Sequence, residues 1–216
     1  LVKKYQVVQF DVKKTAAGED QRKYTDLLKF FVKDARTCLE FIVICLLWFI
    51  NVFNLYGGKF FSSHVPGKLY YYEYIGIVYS VLIYLLMYPF FKTQPRKRLS
   101  TVGYPLSFIG HLLFYLVENQ TFRYFEPLIS KVGYKMTFLV IYAQTAELYP
   151  TEIRGLAFGI TNSVGRIGAI AAVSYNSLTF FQVTYISCIA YLVGWVLQFF
   201  VRETKGFQMI DRIDEQ

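Results

Sequence analysis

Three charged residues in the second half of the chain have types and positions that could do chemistry. Glu147 and Arg154 flank a Tyr-Pro-Thr break at 149–151 between two apolar runs, and Arg166 lies inside the second run. A charged side chain at the end of a membrane span or within one is costly, and it commonly marks a substrate path or a switchable ion pair. The spacing therefore predicts charges at a membrane interface and a guanidinium inside the membrane.

Apolar blocks are the elements that must position these charges. The 216 residues are 55% hydrophobic and 18% charged, and the apolar residues cluster in blocks of about 18–22, the length that crosses roughly 30 Å of hydrocarbon as a helix. This pattern predicts an all-α integral membrane protein. Six spans are predicted, at about 38–57, 70–91, 101–117, 128–149, 156–177 and 181–201.

The basic residues indicate topology. The net charge is +8, but Lys and Arg gather in residues 1–36, in the 92–100 loop and in the C-terminal tail. Basic residues collect in cytoplasmic loops of membrane proteins. We therefore expect both termini and the 92–100 loop on the cytoplasmic side or its equivalent, and no nucleic-acid partner.

Three regions follow from this pattern. Residues 1–36 form a polar cytoplasmic-side segment, in which 21–36 is either an amphipathic surface helix or a plain linker. Residues 37–201 form the six-span bundle, and 202–216 form a polar tail. Because the first residue is Leu and no signal peptide precedes the first block, we expect part of a longer product or a processed one.

Four short motifs carry a resemblance. They are Trp48-Phe49 with Leu55-Tyr56-Gly57, Ala146-Glu147-Leu148-Tyr149-Pro150-Thr151 with Arg154, Arg166-Ile167-Gly168-Ala169, and Glu203-Thr204-Lys205-Gly206. Over about residues 37–210 the chain resembles the C-terminal six-span half of the major facilitator superfamily, specifically its organic ion (solute carrier 22-like) transporters. The resemblance implies two inverted three-helix repeats and alternating access.

The resemblance implies gating ion pairs on the cytoplasmic side. Glu147, Arg154 and Glu203 would form latches that hold one state of the transport cycle, while Lys205 is better interpreted as an interface anchor. Ion pairs at the edge of a helix bundle form in one state and hydrate in the other, which biases the equilibrium.

Arg166 is the predicted substrate-binding residue. The resemblance implies a small organic anion or zwitterion, with the guanidinium as its counter-charge. The alternative is that Arg166 pairs internally and never meets substrate. Five further side chains are predicted to line the same cavity: Tyr56, Asn51, Asn54, Tyr142 and Gln144.

Departures from the family pattern leave a second function open. The 92–98 loop lacks the usual acid and glycine, Arg202 replaces a proline, and Gln144 replaces a tyrosine. The N-terminal six spans also lie outside the resemblance. The chain is thus expected to be half of a transporter, or a transport-inactive subunit embedded in a larger membrane complex.

The remaining expectations concern partners and place. The sequence offers no nucleophile–base pair, metal cluster or nucleotide motif, so neither enzymatic activity nor a cofactor is expected. The expected partners are the lipid bilayer and either the missing N-terminal half or another membrane protein. Either one would cover the open face of the bundle, on which that half would pack. We expect the plasma membrane or an organelle membrane such as the mitochondrial inner membrane.

Overall fold

The fold is a bundle of long helices. The computed structural model describes residues 35–62, 69–116 and 120–206. Its helices are α1 (Ala35–Ser62), α2 (Leu69–Thr93), α3 (Arg96–Leu116), α4 (Gln120–Leu148), α5 (Thr151–Ala172) and α6 (Phe180–Gln198), with a 3₁₀ turn at Val173–Ser177 before α6. The amphipathic helix predicted before α1 and the tail beyond Gly206 lie outside the described residues.

Each predicted span coincides with one of these helices, but the expectation of six apolar spans needs correction. Four helical segments of the described chain are long and apolar enough to cross a membrane: Ala35–Gly58, Gly76–Thr93, Ile153–Tyr175 and Phe181–Gln198. The other two helices, α3 and α4, are more polar. The reason is visible in their sequences, because α3 opens with Arg96-Lys97-Arg98 and the first half of α4 carries several charges.

Small residues bring α3 and α4 together. A Cβ atom added at Gly110 would lie 2.6 Å from the backbone nitrogen of Ser130, and one added at Gly133 would lie 2.5 Å from the carbonyl oxygen of Gly103. Such approaches are possible only between backbones in near contact. In membranes, small residues drive helix pairing of this kind because there is no hydrophobic force between the helices.

Helix α1 is the centre of the bundle, and α5 packs along it. Leu47 and Trp48 of α1 are almost fully buried. A Cβ at Gly168 would lie 2.5 Å from the carbonyl oxygen of Phe49, and one at Gly165 would meet Val52 at 3.0 Å. The small residues of α5 therefore allow α1 to approach closely.

Helix α2 is the least covered part of the bundle. Val78, Leu85 and Leu86 are each more than 60% exposed, and only 11% of its apolar span is buried. An apolar helix of this kind needs lipid or another protein around it.

The antiparallel connections place six helix termini at one end of the bundle. The starts of α1, α3 and α5 lie there with the ends of α2, α4 and α6. We call this the charged end. Its charged side chains include Arg36, Glu40, Arg96, Lys97, Glu147, Arg154, Arg202 and Glu203.

Candidate gating and substrate sites

An ion pair joins α3 to α4 at the charged end. Nη2 of Arg96 lies 3.0 Å from Oε1 of Glu147, and Nε of Arg96 donates to the same oxygen at 3.3 Å. The guanidinium also stacks over the ring of Phe91, 3.8 Å from its centroid. Because Arg96 and Glu147 are both largely shielded, this pair is stronger than a freely exposed surface pair.

Glu203 caps the start of α3. Its two carboxylate oxygens accept the backbone N–H groups of Arg96 at 2.9 Å and Lys97 at 3.0 Å. The first N–H groups of a helix lack partners within the helix, and the helix dipole favours a negative charge there. The hydroxyl of Thr204 donates to the other oxygen of Glu147, Oε2. The tail therefore contacts both Arg96 and Glu147, the two members of the ion pair.

Arg154, the third predicted gating residue, lies at the start of α5. Its Nε donates to the carbonyl oxygen of Tyr149 at 3.2 Å, whereas the carboxylate of Glu147 pairs with Arg96. Glu147 and Glu203 therefore both accept hydrogen bonds from Arg96, at the start of α3. The gating roles of these residues and of Arg154 remain predictions.

Arg96 is the residue that the sequence reasoning missed. It opens the basic run at 96–98, which was interpreted as a degraded form of the family's loop. The signal that would have found it is a basic residue at a helix start near an acidic residue at a helix end.

A buried polar network ties α1 to α3 and α4. Nδ2 of Asn51 donates to the hydroxyl of Tyr104 at 2.8 Å, and the hydroxyl of Thr137 donates to Oδ1 of Asn51 at 2.7 Å. One turn earlier in α1, Nε1 of Trp48 donates to the hydroxyl of Thr145 at 2.9 Å. Since buried polar groups need partners, this network fixes the register of three helices.

Three of the predicted cavity residues lie inside the bundle. Asn51 and Asn54 are each 3% exposed and Gln144 is fully buried. Nδ2 of Asn54 donates to Ile50 O, and Oε1 of Gln144 accepts from Gln198. The structure does not bring these amides to a surface with Arg166, and their contact with substrate remains a prediction.

Arg166 lies on the exposed face of α5, within the apolar segment Ile153–Tyr175. Among the described residues it makes no hydrogen bond or ion pair. The hydroxyl of Ser163, on the same face, donates to the carbonyl oxygen of Gly159 in its own helix. The alternative of an internal partner for Arg166 thus finds none in the part of the chain that the structure describes.

An aromatic cluster lies where α1, α4 and α5 meet. The ring of Tyr142 lies 4.5 Å from that of Trp48 and 4.9 Å from that of Phe138, and the ring of Phe158 lies 5.6 Å from that of Trp48 (all between centroids). Tyr142 is 37% exposed. Phe158 precedes Arg166 by eight residues, which is about 12 Å along the helix axis.

Tyr142 and Tyr56 are the predicted aromatic residues of the cavity, and they differ in placement. Tyr142 presents part of its ring on the surface, while Tyr56 is half-buried and packs against the core. The rings of Trp48, Phe138 and Phe158 were not among the predicted site residues. Their packing depends on three helices meeting, which no single motif shows.

The fold and these sites are those of a helical protein with four segments apolar enough to cross a membrane and an ion-paired charged end. On the exposed face of α5 it carries an arginine, Arg166, that has no partner among the described residues. No family model matches the chain.

Comparison with curated proteins confirms the resemblance to solute carrier family 22 transporters of the major facilitator type. The chain is 26% identical over 168 residues to solute carrier family 22 member 16 of Bos taurus, which covers 76% of this chain and 29% of the relative. It is 23% identical over 180 residues to the human organic cation/carnitine transporter 2, covering 81% and 32%.

A third relative is the carcinine transporter of Drosophila melanogaster, 26% identical over 134 residues, covering 61% of this chain and 20% of the relative. The chain thus spans less than a third of the length of these three relatives. All three are solute carriers, not enzymes.

Proposed function

We propose that this chain forms one half of a transporter that carries small organic ions across a membrane by alternating access. The observation that carries the proposal is the position of Arg166, exposed on α5 inside an apolar segment and without a partner among the described residues. An unpaired guanidinium is too costly to leave in hydrocarbon. It is therefore expected to face a water-filled path between this half and whatever covers the open face.

The chemistry of the open face suits a carboxylate. A guanidinium binds a carboxylate through two parallel hydrogen bonds, which gives both energy and orientation. The partly exposed ring of Tyr142, which packs against Trp48 and Phe158, offers an aromatic face to a cationic group. Arg166 and the ring of Tyr142 together favour a zwitterion, or an organic anion with an apolar body.

The names of the relatives support the zwitterion over a simple anion. They include transporters of carnitine and β-alanine, and both molecules carry a cationic nitrogen and a carboxylate. The carcinine transporter is named for a cation without a carboxylate. For this chain, Arg166 is the feature that favours substrates with a negative group.

The charged end is proposed as the gate. Arg96 and Glu147 join α3 to α4, and Glu203 fixes the tail on the start of α3. Contacts of this type hold the cytoplasmic end closed in one state and exchange for water in the other. Arg154, at the start of α5, lies beside this cluster and is proposed to contact the covering half.

Uptake into lipid vesicles tests the proposal. The native polypeptide that contains these residues is reconstituted, and uptake of carnitine, benzoate and choline is compared; choline lacks a carboxylate. We expect Arg166→Gln to reduce uptake of the two carboxylates tenfold or more, which is about 1.4 kcal/mol. Arg166→Lys should retain part of the activity because it keeps the charge but loses the bidentate geometry.

Ser163→Ala is the matched control, because it changes the same face without changing charge and its hydroxyl bonds only its own helix. Unchanged carboxylate uptake in Arg166→Gln would show that Arg166 does not contact substrate. A wild-type protein that transports none of the three probes, and that stays bound to another membrane protein in mild detergent, would support the transport-inactive subunit instead.

A further inference from the structure

Glu40 is a buried carboxylate near the start of α1. Its side chain is only 4% exposed, and Nε of Arg202 lies 3.3 Å from its Oε2. Arg36, one turn earlier in the same helix, lies 3.6 Å from Oε1 but is itself 77% exposed. A buried carboxylate is costly without a close cation, and Arg202 is the closer and better shielded of the two.

Arg202 belongs to the segment that crosses the charged end after α6. Val201 is fully buried and Thr204 is 5% exposed, so this segment is packed against the bundle. Arg202 contacts α1, the next residue Glu203 contacts α3, and Thr204 contacts Glu147 at the end of α4. Three successive side chains thus bind three different helices.

We propose that the Arg202–Glu40 ion pair is a positioning contact that seats residues 201–205 on the charged end and thereby holds the carboxylate of Glu203 over the start of α3. The proposal deepens the gating part of the proposed function.

Hydrogen exchange measures the seating without any substrate. The native polypeptide is measured in lipid nanodiscs. The peptide that covers residues 94–99 reports the exchange rates of the N–H groups of Arg96 and Lys97, from which Glu203 accepts hydrogen bonds. We expect Arg202→Gln to speed exchange in this peptide tenfold or more, nearly as much as Glu203→Gln. Arg202→Lys should retain most of the protection, because the cation can still reach Glu40.

Arg36→Gln is the matched control. It removes the other cation near Glu40 but lies outside the tail, so exchange at 94–99 should stay at the wild-type rate. Glu40→Gln guards against a variant that fails to fold, since it removes the ion pair without leaving a buried charge unpaired. It should speed exchange at 94–99 as Arg202→Gln does.

Wild-type exchange rates in both Arg202→Gln and Glu40→Gln, with faster exchange in Glu203→Gln, would overturn the proposal. The tail would then be held by Glu203 and Thr204 alone. Because exchange is read without transport, faster exchange in a protein that transports nothing would leave the positioning contact intact while rejecting the proposed transport function.

Discussion

The two faces of α5 have similar small residues but different surroundings. On the face toward α1, Ala157, Thr161 and Ala172 are fully buried, and Gly168 lies against the backbone of Phe49. The opposite face of α5 is exposed, and we call it the open face. Its residues are Gly155, Gly159, Ser163, Arg166 and Ile170. A Cβ atom added at Gly159 would meet nothing within 4 Å, whereas one at Gly168 would lie 2.5 Å from a carbonyl oxygen.

This contrast separates packing from recognition along one helix. Glycine at 168 is required by a neighbour that is present, and glycine at 159 is not required by any described residue. Arg166, the charged residue near the middle of the apolar segment Ile153–Tyr175, lies on the uncovered side. The packed face therefore holds this bundle together, and the open face is available to a substrate path or a second protein.

The largest expected effect is from a large residue on the packed face. Gly168→Leu places a side chain where the backbone of Phe49 lies, and neither helix can move without disturbing the core around Trp48. Overpacking of a dense interior costs about 1–3 kcal/mol and occasionally more, and we expect at least about 3 kcal/mol here because the obstacle is backbone. Unfolding in mixed lipid–detergent micelles measures the loss.

Gly159→Leu is the control on the same helix with the same substitution. Its side chain enters open space in the described bundle and leucine favours a helix over glycine, so the free energy of unfolding should not fall and should rise by up to about 0.8 kcal/mol. Equal losses in the two variants would mean that the two faces are equally packed, and would contradict the contrast.

A smaller effect is expected from the loss of a single buried hydrogen bond between α1 and α4. Thr137→Val keeps the shape of the side chain but removes the hydroxyl that donates to Oδ1 of Asn51 at 2.7 Å. Leaving a buried acceptor without its donor costs about 1–3 kcal/mol. We expect about 1–2 kcal/mol, because Nδ2 of Asn51 keeps its bond to Tyr104.

The matched change on the open face is Ser163→Ala, whose hydroxyl bonds only the carbonyl of Gly159. Its unfolding free energy should stay within about 0.5 kcal/mol of the wild type. A Thr137→Val variant as stable as Ser163→Ala would show that the network around Asn51 does not contribute to stability.

The position of the helices was predictable because each one contains a long run of apolar residues. The predicted span at about 156–177 lies within a few residues of Thr151–Ala172. The polarity of α3 and α4 was underestimated because their apolar blocks also contain charged and polar residues. Some of these polar groups bond across the two helices, as the hydroxyl of Ser107 does to the carbonyl oxygen of Ser130.

The candidate site was less predictable because it depends on which helix ends meet. Glu147 was grouped with Arg154, seven residues later, but its partner Arg96 comes from another helix start. The amides of Asn51 and Gln144 look equally suited to a cavity and to a core, and only the packing of α1 against its neighbours decides that they are buried. The exposure of Arg166 likewise depends on what α5 packs against.

The smallest expected change in stability comes from substitutions at Gly159, which test what covers the open face of α5. In this bundle, Gly159→Ala should stabilise α5 by up to about 0.8 kcal/mol, since alanine favours a helix over glycine and nothing lies within 4 Å of the added methyl. If another helix packs closely on this face in the native membrane, Gly159→Leu should instead weaken that association while leaving the bundle folded. Native mass spectrometry of the protein extracted in mild detergent separates the two results. A folded Gly159→Leu variant with its assembly unchanged would mean that lipid or water, and not a closely packed helix, lies against Gly159.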